Sequence, residues 1–174
     1  MNRRCAAPGR ALDRALVAFF LVSIAYGLAF SLPEGLGFEV SPDSAWPPLR
    51  WLHAWAVEQE PTHLDPPLFL VATCLFDGLF QAPVLMAVVH GLLRRRPWVR
   101  TLGIFYGGAA ITNMYFYFYG TILGPTPPAH MDVYLAFNLP WLVAPALLVL
   151  RLLPADPFAE SGIRGTSASR SGSG

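Results

Sequence analysis

Asp77 stands ten residues into Pro67–Leu93, an apolar run long enough to cross a bilayer. A charged side chain at the centre of a membrane helix costs roughly 2.5–3.5 kcal/mol on insertion scales. Such groups face a bundle interior or a cavity, where they bind, move protons or make buried hydrogen bonds. Thr73, Asp77 and Gln81 follow at i, i+4 and i+8, which puts them on one helical face. Pro83 comes next and frees a backbone carbonyl near that face. Asn113 and Tyr117 are also four apart, with Tyr115 and Tyr119 close by. Tyr134, Asn138 and Trp141 recur at i, i+4 and i+7, beside Pro140 and Pro145, which can kink a helix. At helical rise Asp77 lies about 15 Å, and Asn138 about 10 Å, below the same membrane face. Asn113 lies near the middle of its own run. The three side chains are expected to converge in a small polar cluster inside an apolar, aromatic pocket.

These residue types suit two chemistries. One is ligand recognition by Asp77, Gln81, Thr73, Asn113, Tyr117, Tyr134, Asn138 and Trp141. The other is movement of a ring double bond. That needs an acid to protonate one carbon and a base to remove a proton from another. Negative or π-rich surroundings must stabilise the cation between them. Asp77 would be the acid, with Trp141 and the tyrosines facing the cation. Glu60, in the loop before the run, is the best second titratable group. His63 reads as a surface residue, His53 as an interfacial one, and His90 lies at the far end of its run. A bland reading stands beside both. Asn, Thr and Tyr in membrane helices commonly bond neighbouring helices for under about 2 kcal/mol. Thr73 and Tyr119 fit that role first, and Asp77 would then be a neutral acid bonded to Asn or Tyr. The aromatic run Tyr115–Tyr119 reads as packing.

Four segments must position these groups: Ala15–Leu32, Pro67–Leu93, Thr101–Leu123 and Met131–Leu153. Each approaches the 20 or so apolar residues that a span requires. The chain has 174 residues, of which 54% are hydrophobic and 13% charged. Soluble domains carry about 25% charged residues. The expected fold is therefore all-α: a polytopic membrane protein with a four-transmembrane-helix bundle and an internal ligand pocket. The expected domains are a cytoplasmic tail (1–14), the bundle (15–153) and a disordered cytoplasmic tail (154–174). A net charge of +1 offers no field for nucleic acid. Eleven of the twelve arginines fall on one side of the four-span arrangement, and only Arg50 on the other. Excess Arg marks cytoplasmic loops, so both termini are expected in the cytoplasm. The arginine-then-apolar start also resembles a signal peptide, but the run is longer than a usual signal core, and removing it leaves an odd number of spans. The lack of lysine and the wealth of Ala, Gly, Pro and Arg point to a GC-rich genome and a bacterial inner membrane. In a eukaryote the place would be the endoplasmic reticulum. Cys5 and Cys74 lie too far apart to pair, and neither a metal nor a cofactor is expected.

The loop between the first two spans carries Trp46, Trp51 and Trp55. Within Pro48–Glu60, Leu49, Leu52, Trp55 and Ala56 recur at helical spacing. This predicts a short helix at the membrane surface, anchoring the chain through its tryptophans or acting as a lid.

Several stretches resemble the EXPERA family, which includes the emopamil-binding sterol isomerases and the sigma-2 receptor proteins. Cys74-Leu75-Phe76-Asp77-Gly78-Leu79-Phe80-Gln81-Ala82-Pro83 resembles the sigma-2 pattern of an acid followed by Gln-x-Pro. Glu60-Pro61, Asp65-Pro66-Pro67 and Trp98-Val99-Arg100-Thr101 fit as well. Phe137-Asn138-Leu139-Pro140-Trp141-Leu142-Val143-Ala144-Pro145 is more similar to the isomerases. The resemblance spans roughly residues 15–153. It implies a four-helix bundle, often a homodimer, whose pocket opens to the bilayer and takes sterols or cationic amphiphiles. Asp77 then matches the pocket acid, Glu60 a supporting loop carboxylate, and Asn138 and Trp141 pocket residues. The first span departs from the family. It offers Ser23, Tyr26 and Ser31, with Glu34 just beyond, where both branches carry ionisable groups. Binding of a sterol-like ligand is the leading expectation. A lipid double-bond isomerase using Asp77 and Glu60 is the second, and a structural membrane subunit the third.

Overall fold

The computed structural model describes residues 8–158. Cys5, Arg3, Arg4, Arg164, Arg170 and the Ser/Gly-rich stretch from Ser161 lie outside the described residues. All regular structure among the described residues is helical.

Helix α1 runs in three joined segments: Pro8–Tyr26, a π-helical turn Gly27–Ser31, and Leu32–Gly35. Helix α2 is Pro47–Glu58, opened by prolines that suit a first helical turn. A 3₁₀ turn, Pro61–His63, follows. Helix α3 is again tripartite: Leu68–Leu75, a π-helical turn Phe76–Gln81, and Ala82–Leu93. Helix α4 is Val99–Leu123 and α5 is Met131–Leu152. Three helices among the described residues are long and apolar enough to cross a membrane: Arg10–Gly35, Leu68–Leu93 and Met131–Leu152. Helix α4 has the length, but its glycines, tyrosines and Asn113 make it less apolar.

Two boundaries differ from the sequence expectation. The segment 1–14 was to be a tail, yet α1 already begins at Pro8. The apolar run sets where lipid contact starts, and a helix can continue past it. The tail expected from residue 154 is tied down as far as Phe158. Arg100 donates from Nε to Pro154 O at 2.9 Å, and Arg151 from Nη1 to Pro157 O at 2.5 Å. The helix over 48–60 is present, with Leu49, Leu52 and Ala56 buried and Trp51 78% exposed.

The larger apolar core sits at one end of the packed helices. It joins Leu16 and Phe20 of α1, Leu85 and Val88 of α3, Tyr106 of α4 and Leu148 of α5. A smaller one at the other end joins Leu70, Cys74, Tyr117 and Tyr134. Water does not drive helices together within lipid, so close backbone approach must do so. Gly103 and Gly107 supply it between α4 and α5, where a Cβ on Gly107 would stand 3.1 Å from Pro145 O. Among the described residues the arginines other than Arg50 gather at the larger-core end. There Arg151 of α5 grips Asp13 of α1 at 2.8 and 3.1 Å, and Arg100 of α4 binds the chain beyond α5.

Candidate functional site

The two π-helical turns meet between the two cores. A Cβ on Gly27 would stand 3.2 Å from Asp77 O, and one on Gly78 only 2.5 Å from Leu32 Cβ. The two glycines therefore let α1 and α3 touch at backbone distance. That contact carries Asp77 to the interior. Ser31 Oγ donates to its Oδ2 at 3.4 Å, and Gln81 Nε2 and Asn113 Nδ2 donate to its Oδ1 at 3.3 Å each. Tyr106 OH donates in turn to Gln81 Oε1 at 3.3 Å. Three helices thus contribute donors to one carboxylate. The bonds are long, so Asp77 is surrounded rather than clamped.

Asp77 lines a cavity of about 50 Å³. Thr73, Gln81, Tyr117, Asn138 and Trp141 share it. Trp141 forms an aromatic wall with Tyr26 at 5.2 Å and Phe19 at 5.1 Å. Three expectations need correction. Asn138 reaches the cavity but donates to Tyr134 O at 3.1 Å, one turn back on its own helix, so Asp77 and Asn113 meet without it. Tyr134 is fully buried and stacks behind Tyr117 at 6.3 Å, away from the cavity. Tyr115 and Tyr119 point outward, 61% and 59% exposed, because each stands two residues from the buried Tyr117 and so on the opposite side of the helix.

The outer end of the cavity holds a second cluster. His63 lines it, 5% exposed, and its Nδ1 lies 2.7 Å from Glu34 Oε1. His63 Nε2 is 3.8 Å from Glu60 Oε1. Glu60 is buried and accepts hydrogen bonds from Tyr117 OH and, at 3.3 Å, from Trp55 Nε1. The Cys74 thiol faces Glu34 Oε2 at 3.5 Å. Glu60 therefore supports the cavity from behind. His63 is not the surface residue its loop position suggested. Pro61 locks the turn that points its ring inward, and Glu34, carried past the apolar run by the last segment of α1, meets it there. Burial alone would lower the His63 pKa. The Glu34 charge and hydrogen bond, aided by the Glu60 charge, outweigh it and raise the pKa above the usual 6.5. Sequence reasoning missed Glu34 and His63 as a pair. The available signal was Glu60 and His63 three apart around a proline, followed by a helix whose acid had no second titratable partner.

No group of three or more His, Cys, Asp or Glu among the described residues has metal-holding geometry. The cavity offers a carboxyl, Asp77, and a separate imidazole, His63, with an aromatic face between helices α1 and α5. Such an arrangement can hold a polar group of an apolar ligand at either end.

No curated protein matches the chain. The EXPERA (EXPanded EBP superfamily) family model matches residues 49–152, which take in α2 to α5 with Glu60, His63, Asp77, Asn138 and Trp141. With more than half of its length matched and three apolar helices long enough to span, the chain is an integral membrane protein and belongs to the EXPERA family.

Proposed function

We propose that this chain is a four-helix transmembrane bundle whose internal pocket, centred on Asp77, binds a sterol-like or other hydrophobic polycyclic ligand. The carrying observation is the carboxylate itself. It sits deep in an apolar helix, with donors from three helices and an open side on an aromatic-walled cavity. A purely structural acid would have no need of that open side. The four-span arrangement draws support from the arginines of three chain regions at one bundle end, which the charge rule assigns to the cytoplasm. Residues 15–153 then form the membrane domain, with both flanking segments cytoplasmic. A cationic amphiphile would place its ammonium at Asp77.

The cavity of about 50 Å³ has room for a few waters, whereas ligand sites usually run to about 300–1,000 Å³. Ligand admission therefore requires Tyr26, Phe137 and Trp141 to swing outward. The partner rings of Trp141 are tilted against it rather than locked edge to face, and α2 lies over that side through the Trp55–Phe137 contact at 4.7 Å.

A second reading, a lipid double-bond isomerase, has one observation in its favour. Asp77 and His63 line the same cavity, so an acid and a base are both present. One would protonate the ring alkene to a carbocation. The other would take a proton from a neighbouring carbon, whose C–H electrons form the shifted double bond. Tyr26 and Trp141 would face the cation. Glu60, behind Tyr117, would support this chemistry without touching the ligand.

One experiment separates the readings. Wild type, Asp77→Asn and Asp77→Ala are incubated with a ring-unsaturated sterol in deuterated water, and both retained and released sterol are examined by mass spectrometry. Retention by wild type and loss in Asp77→Ala supports the binding function. Deuterium uptake by wild type alone supports the isomerase. Equal retention by all three proteins would remove Asp77 from the site.

A further inference from the structure

We propose that the groove between the start of α1 and the end of α3 binds the headgroup of an anionic phospholipid. It lies at the arginine-rich end of the bundle and shares no lining residue with the Asp77 cavity. Its volume is about 500 Å³. Arg10 and Arg14 of α1 and Arg95 beyond α3 form its polar wall, and Val17, Leu21 and Leu93 its apolar wall. Leu21 is 53% and Leu93 65% exposed, so the apolar wall faces outward beside the charged one. The one carboxylate in the groove, Asp13, has both oxygens engaged by Arg151. Arg14 and Arg95 then set a positive rim above an apolar surface. That is the complement of an amphiphile with a negative head. Guanidinium groups add paired donors suited to phosphate oxygens, and basic pockets between membrane helices on the cytoplasmic side suit anionic lipid heads.

Arg95 strengthens the assignment. Its φ of 49° is the single positive value at a non-glycine among the described residues. Arg96 N–H donates to Gly91 O at 2.9 Å and Arg95 N–H to Leu92 O at 3.2 Å, the paired bonds of a Schellman helix end. Glycine fits that left-handed position without strain. The chain instead keeps an arginine there, and that residue lines the groove.

This makes Arg95→Gly a test that spares the fold. Full-length protein in neutral detergent is examined by native mass spectrometry with short-chain phosphatidylglycerol, phosphatidylcholine or inorganic phosphate. Phosphatidylglycerol should be retained over phosphatidylcholine. Arg14→Gln and Arg95→Gly should each weaken it about fivefold, the share of one arginine near an anionic surface. Arg50→Gln, on α2 at the other end, should change nothing. Arg95→Gly should melt at or above the wild-type midpoint, which excludes unfolding as the cause. Equal retention of both lipids, or phosphatidylglycerol binding unchanged in both groove variants, overturns the proposal. Inorganic phosphate bound as tightly as phosphatidylglycerol overturns the lipid assignment in favour of a bare anion.

Discussion

Removing the His63 imidazole should do more damage than one loop residue suggests. His63 and Glu34 form a buried pair, with side chains 6% and 2% exposed and Nδ1 to Oε1 at 2.7 Å. Breaking a buried ion pair from one side costs about 3–5 kcal/mol, because the remaining charge loses its partner. Glu60 would keep its donors from Tyr117 and Trp55. Among the described residues Glu34 would keep as side-chain donor the Cys74 thiol at 3.5 Å, a weak one. The loss therefore falls on Glu34. At roughly 2–4 °C per kcal/mol for a chain of this size, His63→Ala should melt about 6–20 °C lower in neutral detergent. Glu34→Gln with His63→Gln should recover much of that, since two amides can bond each other and no charge is stranded. The pH dependence supplies an independent check. The folded-state pKa of His63 is raised. The stability this adds is fully present below about pH 6.5 and is lost as the pH rises through the folded value. Wild type should lose midpoint as the pH climbs past neutrality, and His63→Gln should lose less of it across that window. A wild-type midpoint unchanged between about pH 6 and 9, together with His63→Ala melting like wild type, would refute the reasoning.

Other consequences are simpler to read. Gly78→Ala puts a methyl against Leu32 and should cost about 1–3 kcal/mol by forcing α1 from α3, seen as a lower midpoint and weaker sterol retention. Trp46→Phe removes the indole donor to Ala29 O at 2.6 Å; the cost should be about 0.5–1.5 kcal/mol, with faster amide exchange over Pro47–Glu58. Arg151→Met strands the Asp13 carboxylate and should cost about 1.5–3 kcal/mol, and adding Asp13→Asn should restore part of it; a double variant as unstable as the sum would mean the two side chains do not act together.

The long helices were legible because apolar length and arginine placement need no tertiary information. Thr73, Asp77 and Gln81 were legible for a related reason, since side chains four apart share a face whatever packs against it. His63 was not. Its burial depends on Pro61 turning the chain and on Glu34 arriving from a segment 29 residues away, and neither follows from local spacing. Tyr134 failed in the opposite sense. Its spacing from Asn138 put both on one face, but Tyr117 stands in front of it and takes the cavity position. The start of α1 failed because hydropathy marks the lipid boundary and not the helix boundary.

The two π-helical turns explain why the polar site sits where it does. Each is followed two residues later by a proline, Pro33 after Gly27–Ser31 and Pro83 after Phe76–Gln81. Proline has no N–H, so Pro33 cannot donate to Ala29 O four residues back. That carbonyl is the one Trp46 Nε1 takes at 2.6 Å, which ties the loop before α2 to the turn beside the cavity. The wider turns also carry the glycines that let α1 and α3 touch, and they end on Ser31 and Gln81, two of the donors to Asp77. A side chain at either glycine would hold the two backbones apart. Single π turns recur at functional sites because they re-aim side chains without ending the helix. Here a paired set does so on both walls of one cavity. Pro33 frees the carbonyl that ties the loop before α2 to α1, and Gly27 and Gly78 bring that end of α1 against the turn that carries Asp77, so the loop and the acid are both positioned by the last segment of α1.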